Sequence, residues 1–130
     1  MQKILVVDDD KNIRSIYKRL LTLEHYQVFE AKDWEAATSL VAGQRDIDLI
    51  LLDINMPVVD GSALYDVIRL YDSHIKIIVT SVYSVDDQKR LILKADDYYD
   101  KSCGTEKLME KIKKVLNQPL VGGEAGKEQK

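Results

Sequence analysis

The length, composition and charge of the chain exclude several classes of protein. Its 130 residues, 45% of them hydrophobic and 32% charged, suffice for one domain with a buried core and are too few for two. The net charge of -3, with Lys and Arg scattered along the chain, argues against direct binding to nucleic acid or to a membrane. No apolar run approaches the roughly 18 residues of a membrane span, no signal peptide is recognisable, and Cys103 is the single cysteine, so we expect a cytoplasmic protein without disulfides.

Short apolar strands and helices of 3.6-residue period alternate along the chain. Strands are predicted near residues 3–8, 27–31, 48–53, 75–80 and 96–100, and helices over 11–24, 34–42, 61–72, 84–94 and 105–117. Strands that are apolar on both faces, each followed by a helix, favour an α/β fold of (βα)5 type. We therefore expect a doubly wound parallel five-stranded sheet with helices on both faces.

Polar residues stand at the predicted helix starts. Asp33 and Thr105 are predicted to cap the second and the last helix, and Ser84 begins the fourth as part of a sequence that resembles a capping box. Asp10 is interpreted as a cap or loop acid rather than a metal ligand. The fourth helix has an incomplete apolar stripe, which indicates looser packing.

A second set of polar residues follows the predicted strands at their carboxyl ends. Asp8 and Asp9 follow the first strand, Asp53 ends the third, Thr80 and Ser81 end the fourth, and Lys101 comes just after the fifth. Because parallel strands end at one edge of the sheet, we expect these side chains to lie together.

Converging carboxylates require a cation. Two carboxylates about 4 Å apart repel each other by roughly 4 kcal/mol at an effective dielectric constant near 20. With oxygen ligands only, the site favours a hard ion, Mg2+ or alternatively Mn2+. A metal beside one carboxylate nucleophile, with a lysine and a hydroxyl nearby, is an arrangement suited to phosphoryl transfer.

The ordered set resembles the receiver domain of two-component response regulators, of the CheY-like superfamily, over about residues 2–118. The matching segments are KILVVDDD, LLDINMPVVDG and IIVTS, followed by Lys101. The resemblance implies a flavodoxin-like fold with Asp53 as the phosphoacceptor. It also implies a set of residue roles: Mg2+ on Asp8, Asp9, Asp53 and the main-chain carbonyl of Asn55, phosphoryl binding by Thr80 and Lys101, and switching by Thr80 and Tyr98.

The resemblance also implies partners and a domain plan. The phosphoryl donor would be a sensor histidine kinase or a phosphotransfer protein, and the fourth helix, fifth strand and fifth helix would control an effector protein or a fused output domain. Chemistry would be confined to self-catalysed phosphotransfer and autodephosphorylation, in a monomer or weak dimer. Residues 1–118 would form the domain and 119–130 a disordered tail or the start of a linker, in a stand-alone receiver or one cut from a longer protein.

Two departures from the family pattern leave alternatives open. The chain has KSC at residues 101–103 where the family usually has Lys-Pro-Phe, and Lys94 where it usually has Gly. Without the proline we predict a trans Lys101-Ser102 bond, a different loop path through Gly104 and a Lys101 ammonium further from Asp53. The alternatives are a degenerate receiver that acts unphosphorylated and a small Asp-nucleophile phosphatase, although Asn55 stands where the phosphatase would have its second acid.

Overall fold

Five parallel strands form one sheet at the centre of the molecule, in the order β2-β1-β3-β4-β5. The structure is a computed structural model, and it describes residues 1–43, 46–55, 61–71, 74–91 and 95–117. The strands are β1 Lys3–Val7, β2 Gln27–Ala31, β3 Leu49–Asp53, β4 Lys76–Ser81 and β5 Asp97–Asp100. This arrangement confirms the predicted α/β fold, with strand limits within one residue of the predicted ones.

A helix follows each strand. The helices are α1 Lys11–Leu23, α2 Trp34–Gly43, α3 Gly61–Tyr71, α4 Val85–Leu91 and α5 Thr105–Leu116, and a 3-10 turn, Lys101–Cys103, precedes α5. The 3-10 turn was not predicted, since three residues are too few to show a hydrophobic period. Residues 92–94 of the predicted fourth helix, residues 56–60 of the segment LLDINMPVVDG and the predicted tail at 119–130 lie outside the described residues.

The core has two layers, one on each face of the sheet. All five residues of β3 are buried, and they alternate between the layers: Leu49 and Leu51 pack on the side of α1 and α5, Ile50 and Leu52 on the side of α2 and α3. A strand that lies between two helical layers has no solvent face, which explains its unbroken apolar sequence. Among the described helices, none has the length and apolarity needed to cross a bilayer.

The predicted helix caps are mostly observed. Asp10 Oδ1 accepts from the N–H groups of the first turn of α1, and Asp33 Oδ1 accepts from Ala36 N over 2.9 Å. Ser84 Oγ accepts from the N–H of Asp87 over 3.2 Å. The prediction for Thr105 is wrong, because α5 begins at Thr105 itself and Gly104, with φ of 86° and no side chain, occupies the cap position.

Candidate functional site

Three carboxylates converge at the carboxyl edge of the sheet. Asp8 directly follows β1, and Asp53 is the last residue of the neighbouring strand β3. Asp8, Asp9 and Asp53 each offer an oxygen that lies within 4.8 Å of the other two. Asp8 and Asp53 are each only 1% exposed, whereas Asp9 is open to solvent. The convergence expected from the strand ends is therefore present.

Main-chain groups orient the two buried carboxylates. Asp8 Oδ1 accepts from the N–H of Asp10 over 2.9 Å, and Asp53 Oδ1 accepts from the N–H of Asn55 over 2.8 Å. In both cases the donor lies two residues further along the chain, where the strand turns into its loop. The other oxygen of each carboxylate, Oδ2, faces the Lys101 ammonium.

Lys101 bridges the two buried acids. Its Nζ donates to Asp8 Oδ2 over 2.8 Å and lies 3.3 Å from Asp53 Oδ2. The Lys101-Ser102 bond is trans, as predicted, and the chain leaves β5 through the 3-10 turn. The long side chain of Lys101, which begins the turn, reaches both acids with this trans bond.

Burial and charge determine the protonation of this cluster. Burial raises the pKa of Asp53 to about 6, the hydrogen bond from Asn55 N opposes the rise, and the charge of Asp8 adds to it. Burial alone would lower the pKa of Lys101, but its hydrogen bond to Asp8 and the charge of Asp53 raise it above its ordinary value. Lys101 is therefore a cation at neutral pH, and a further cation would favour the ionised form of Asp53.

Thr80 and Asn55 join the site from β4 and from the loop after β3. Thr80 is buried and lies opposite Asp53 in the register of the two strands. The side-chain oxygen of Asn55 accepts from Ser81 Oγ over 2.6 Å and from Val82 N over 3.0 Å. The side chain of Asn55 thus binds the end of β4 and the residue after it, whereas the predicted ligand set uses the main-chain carbonyl of Asn55.

Tyr98 lies beneath α4 rather than beside the carboxylates. Its neighbour in the β4-β5 register is Val79, and its hydroxyl accepts from Ala95 N over 3.3 Å. The Lys89 ammonium lies 6.0 Å from the centre of its ring. Tyr98 therefore connects β5, the strand that precedes Lys101, with α4.

Arg14 was missed in the sequence, and Ser81 was placed at this edge without a role. Arg14 donates from Nη1 to the main-chain carbonyl of Asp8 over 2.7 Å, and its Nε lies 3.2 Å from Glu30 Oε1. Ser81, which is fully buried, supplies the link to Asn55 described above. The signal that could have indicated Arg14 was its position near the start of the helix that follows the acidic pair.

The residues present fit a hard divalent cation. With Lys101 protonated and the three carboxylates ionised, the four side chains carry a charge of -2, and every ligand atom in the cluster is an oxygen. Oxygen ligands and a double negative charge suit Mg2+ or a similar ion better than a soft transition metal.

Comparisons with known proteins agree with this geometry. A sequence model described as the response regulator receiver domain matches residues 4–113. Transcriptional regulatory protein CpxR of Escherichia coli (strain K12) is 36% identical over 119 residues, which cover 91% of this chain and 50% of CpxR, so the chain spans about half the length of that relative. Sporulation initiation phosphotransferase F of Bacillus subtilis (strain 168) is 31% identical over 117 residues, 88% of this chain and 94% of that protein. The crystal structure of response regulator protein TrrA from Thermotoga maritima, in complex with Mg(2+)-BeF, matches with a TM-score of 0.78 and 37% identity over 88% of this chain and 99% of that one.

Proposed function

Because the chain belongs to the response regulator receiver domain family, a family of signalling domains, we propose that Asp53 accepts a phosphoryl group in a Mg2+-dependent reaction. The observation that carries this proposal is that Asp53 is buried and contacts both an acidic cluster, which can bind a metal ion, and the Lys101 ammonium. Its carboxylate lies in a cluster with two further acids and 3.3 Å from the Lys101 ammonium. A buried carboxylate beside like charges is costly, so its presence is better explained by chemistry than by stability.

The phosphoryl transfer is an in-line displacement at phosphorus. One carboxylate oxygen of Asp53 attacks the phosphorus of a phosphohistidine, a P–O bond forms and the P–N bond breaks, with its electron pair left on the imidazole nitrogen, which takes up a proton. The product is an acyl phosphate on Asp53 with a charge of about -2. Its mixed-anhydride bond is open to hydrolysis, which returns the free carboxylate.

The ion and the polar side chains stabilise the charge that collects at Asp53. Mg2+, or Mn2+ in its place, would be held by the side chains of Asp8, Asp9 and Asp53 and by the carbonyl of Asn55, and when bound it neutralises charge on the phosphoryl oxygens. Lys101, which pairs with Asp8 and Asp53 here, would donate to a phosphoryl oxygen.

The output of the domain depends on two conformations of the surface formed by α4, β5 and α5. Thr80 would donate its hydroxyl to the phosphoryl group, and its movement would change the space next to Tyr98, whose ring packs beneath α4. Phosphorylation then shifts the population of the two conformations through its different contacts in each. Burial of Tyr98 against α4 supports this coupling.

The proposed partners are the protein that donates the phosphoryl group and the protein or domain that the phosphorylated chain controls. The donor is a sensor histidine kinase or a phosphotransfer protein, which carries phosphohistidine made from cytoplasmic ATP. The phosphorylated domain controls an effector protein or a fused output domain. The chain itself acts as a monomer or weak dimer. Turnover is confined to phosphotransfer to the chain's own Asp53 and to autodephosphorylation, so the domain acts as a switch rather than as an enzyme on external substrates.

Intact mass spectrometry tests the proposal. The protein is incubated with acetyl phosphate and Mg2+, with and without excess EDTA, and released phosphate is measured in parallel with an unrelated phosphate ester. We expect one added phosphoryl group, formed with Mg2+ and blocked by EDTA, and no steady hydrolysis of the ester. Steady ester hydrolysis would instead indicate a phosphatase, and neither adduct nor hydrolysis would indicate an interaction module that acts unphosphorylated.

A further inference from the structure

The turn that carries Lys101 is tied at its start by Asp100. Asp100 is the last residue of β5, and its Oδ1 accepts from Ser102 N over 2.9 Å and from Ser102 Oγ over 2.7 Å. These two hydrogen bonds close the 3-10 turn around the Lys101 main chain. They lower the pKa of the Asp100 carboxyl, first through the bond from the Ser102 N–H and then through the bond from its hydroxyl, so Asp100 is ionised at neutral pH.

A second tie holds the far end of the same turn. The Tyr99 hydroxyl donates to the carbonyl of Gly104 over 2.8 Å, and the Tyr99 ring is buried between the sheet and the α1-α5 layer. Gly104 has a φ of 86°, a conformation that glycine adopts without strain but does not hold by itself. The four residues from Lys101 to Gly104 are thus fixed by groups from the two strand residues that precede them.

Neither Asp100 nor Tyr99 is among the side chains of the carboxylate cluster. The cluster is reached from this turn by the Lys101 side chain alone among the contacts described above, with its Nζ 2.8 Å from Asp8 and 3.3 Å from Asp53. A long, flexible lysine delivers its charge to a fixed place only if its main chain is fixed. Displacement of a catalytic group by about 1 Å can cost about a hundredfold in rate, so the path of the turn matters to the site.

We propose that Asp100 is a positioning residue that places the Lys101 ammonium through its two hydrogen bonds to Ser102, with the Tyr99 hydroxyl securing the far end of the turn. The inference rests on the proposed function, in which Lys101 binds the transferred phosphoryl group. It assigns to Asp100, Ser102 and Tyr99 a task that acts through Lys101 and not through the metal ligands.

The test separates binding of a phosphoryl mimic from binding of the metal. Calorimetry gives the affinity of the intact chain for Mg2+ alone and for beryllofluoride at saturating Mg2+. For Asp100→Ala we expect beryllofluoride affinity to fall about tenfold, as for the loss of hydrogen bonds to a charged group, while Mg2+ affinity is not weakened. Asp100→Asn, which keeps an oxygen acceptor for Ser102, should retain most of the beryllofluoride affinity. Equal weakening of Mg2+ and beryllofluoride binding in Asp100→Ala would contradict the inference.

A double-variant comparison shows whether Asp100 acts through Lys101. Lys101→Met should weaken beryllofluoride binding, and adding Asp100→Ala to it should change the affinity by less than about twofold. If the two effects simply multiply, Asp100 acts by another route and the inference is wrong. If Lys101→Met is weakened but Asp100→Ala binds like the wild type, the inference alone fails. If Lys101→Met itself binds like the wild type, the proposed role of Lys101 fails and the inference falls with it.

Two smaller changes keep the test available should Asp100→Ala unfold. Ser102→Ala removes the hydroxyl and leaves the N–H, so we expect an effect smaller than that of Asp100→Ala. Tyr99→Phe removes only the bond to Gly104 and should also weaken beryllofluoride binding. Amide hydrogen exchange at Ser102 should be faster in Asp100→Ala and unchanged in Lys101→Met. Wild-type beryllofluoride affinity in both Ser102→Ala and Tyr99→Phe would overturn the inference.

Discussion

The acidic residues at the two edges of the sheet have different surroundings. At the amino edge, Asp48 Oδ2 accepts from Lys3 N over 2.7 Å, at the start of β1. Asp96 Oδ2 accepts from Ile77 N over 2.7 Å and lies 3.2 Å from Arg69 Nη2. Each of these carboxylates accepts a hydrogen bond from a main-chain N–H group near the start of a strand and so stabilises the fold.

At the carboxyl edge the acids crowd one another instead. Asp8 and Asp53 are buried, lie in one cluster with Asp9 and share the Lys101 ammonium. Burial raises the pKa of Asp53, which means that its ionised form lowers the stability of the fold. Carboxylates at both edges accept from main-chain N–H groups, so the acids of the carboxyl edge differ in that they also lie against other carboxylates.

Replacement of the proposed acceptor should give the largest effect. We expect Asp53→Asn to abolish phosphoryl uptake, because no carboxylate remains to form the acyl phosphate. Without Mg2+, its free energy of unfolding near neutral pH should be equal to that of the wild type or up to about 3 kcal/mol higher, since a buried charge with a pKa of about 6 is removed. Urea unfolding and intact mass spectrometry measure the two effects. Asp48→Asn, at the other edge, is the matched control and should take up phosphate normally.

Replacement of an acid at the amino edge should lower stability and leave phosphorylation intact. Asp96→Ala leaves the buried N–H of Ile77 without this acceptor and removes the ion pair with Arg69. We expect a loss of about 1 to 3 kcal/mol in the free energy of unfolding with the phosphorylation rate per folded molecule unchanged. A stable but unphosphorylated Asp96→Ala protein would break the division between the two edges.

The pH dependence of stability tests whether Asp53, at the carboxyl edge, titrates with a raised pKa. The pKa of Asp53 is about 6 in the folded protein and 3.8 in its ordinary state, so the folded form binds the proton more tightly. Stability should therefore rise as the pH falls through the folded pKa, by about 1 kcal/mol between pH 7 and pH 5 for this group. The measurement is the difference in unfolding free energy between wild type and Asp53→Asn in EDTA at both pH values. A difference that stays constant would show that Asp53 does not titrate in this range.

The smallest expected effect concerns the third acid of the DDD run. Asp10 caps α1 and its side chain is not part of the carboxylate cluster. Asp10→Ala should lower the free energy of unfolding by about 1 kcal/mol, as for other helix caps, and leave Mg2+ affinity within about twofold. Asp9→Ala is the useful contrast, since it should weaken Mg2+ binding with little effect on stability.

The sequence indicated those parts of the site that depend on strand ends. A polar residue that closes an apolar strand has its position fixed by the parallel sheet, which is why Asp8, Asp53, Thr80 and Lys101 were all placed at the correct edge. Contacts between side chains far apart in the chain were not predictable in this way. The bond from Ser81 to Asn55 spans 26 positions and leaves no periodic pattern.

Helix α4 shows a second limit of hydrophobic patterns. Its incomplete apolar stripe predicted loose packing, and four of the six residues whose burial is described are exposed. Gln88, however, is fully buried, and its Nε2 donates to the carbonyls of Tyr83 and Tyr99 over 2.9 and 2.8 Å. The Gln88 amide thus occupies a buried position of the kind that apolar side chains occupy in the other helices. A pattern that counts only apolar residues does not predict this. Thr105 illustrates the same limit for caps, since a φ of 86° at Gly104 cannot be read from residue types alone.

A crystal structure of the protein with Mg2+ and beryllofluoride would show whether Asp53 is the phosphoacceptor. We expect beryllofluoride on a carboxylate oxygen of Asp53, Mg2+ against Asp8, Asp9 and Asp53, and the Lys101 ammonium in contact with a fluoride. In the same structure, Asp48 and Asp96 should keep the main-chain hydrogen bonds described here. Beryllofluoride on another residue, or Mg2+ bound without Asp53, would contradict the claim that the carboxyl edge is a phosphoryl-accepting site.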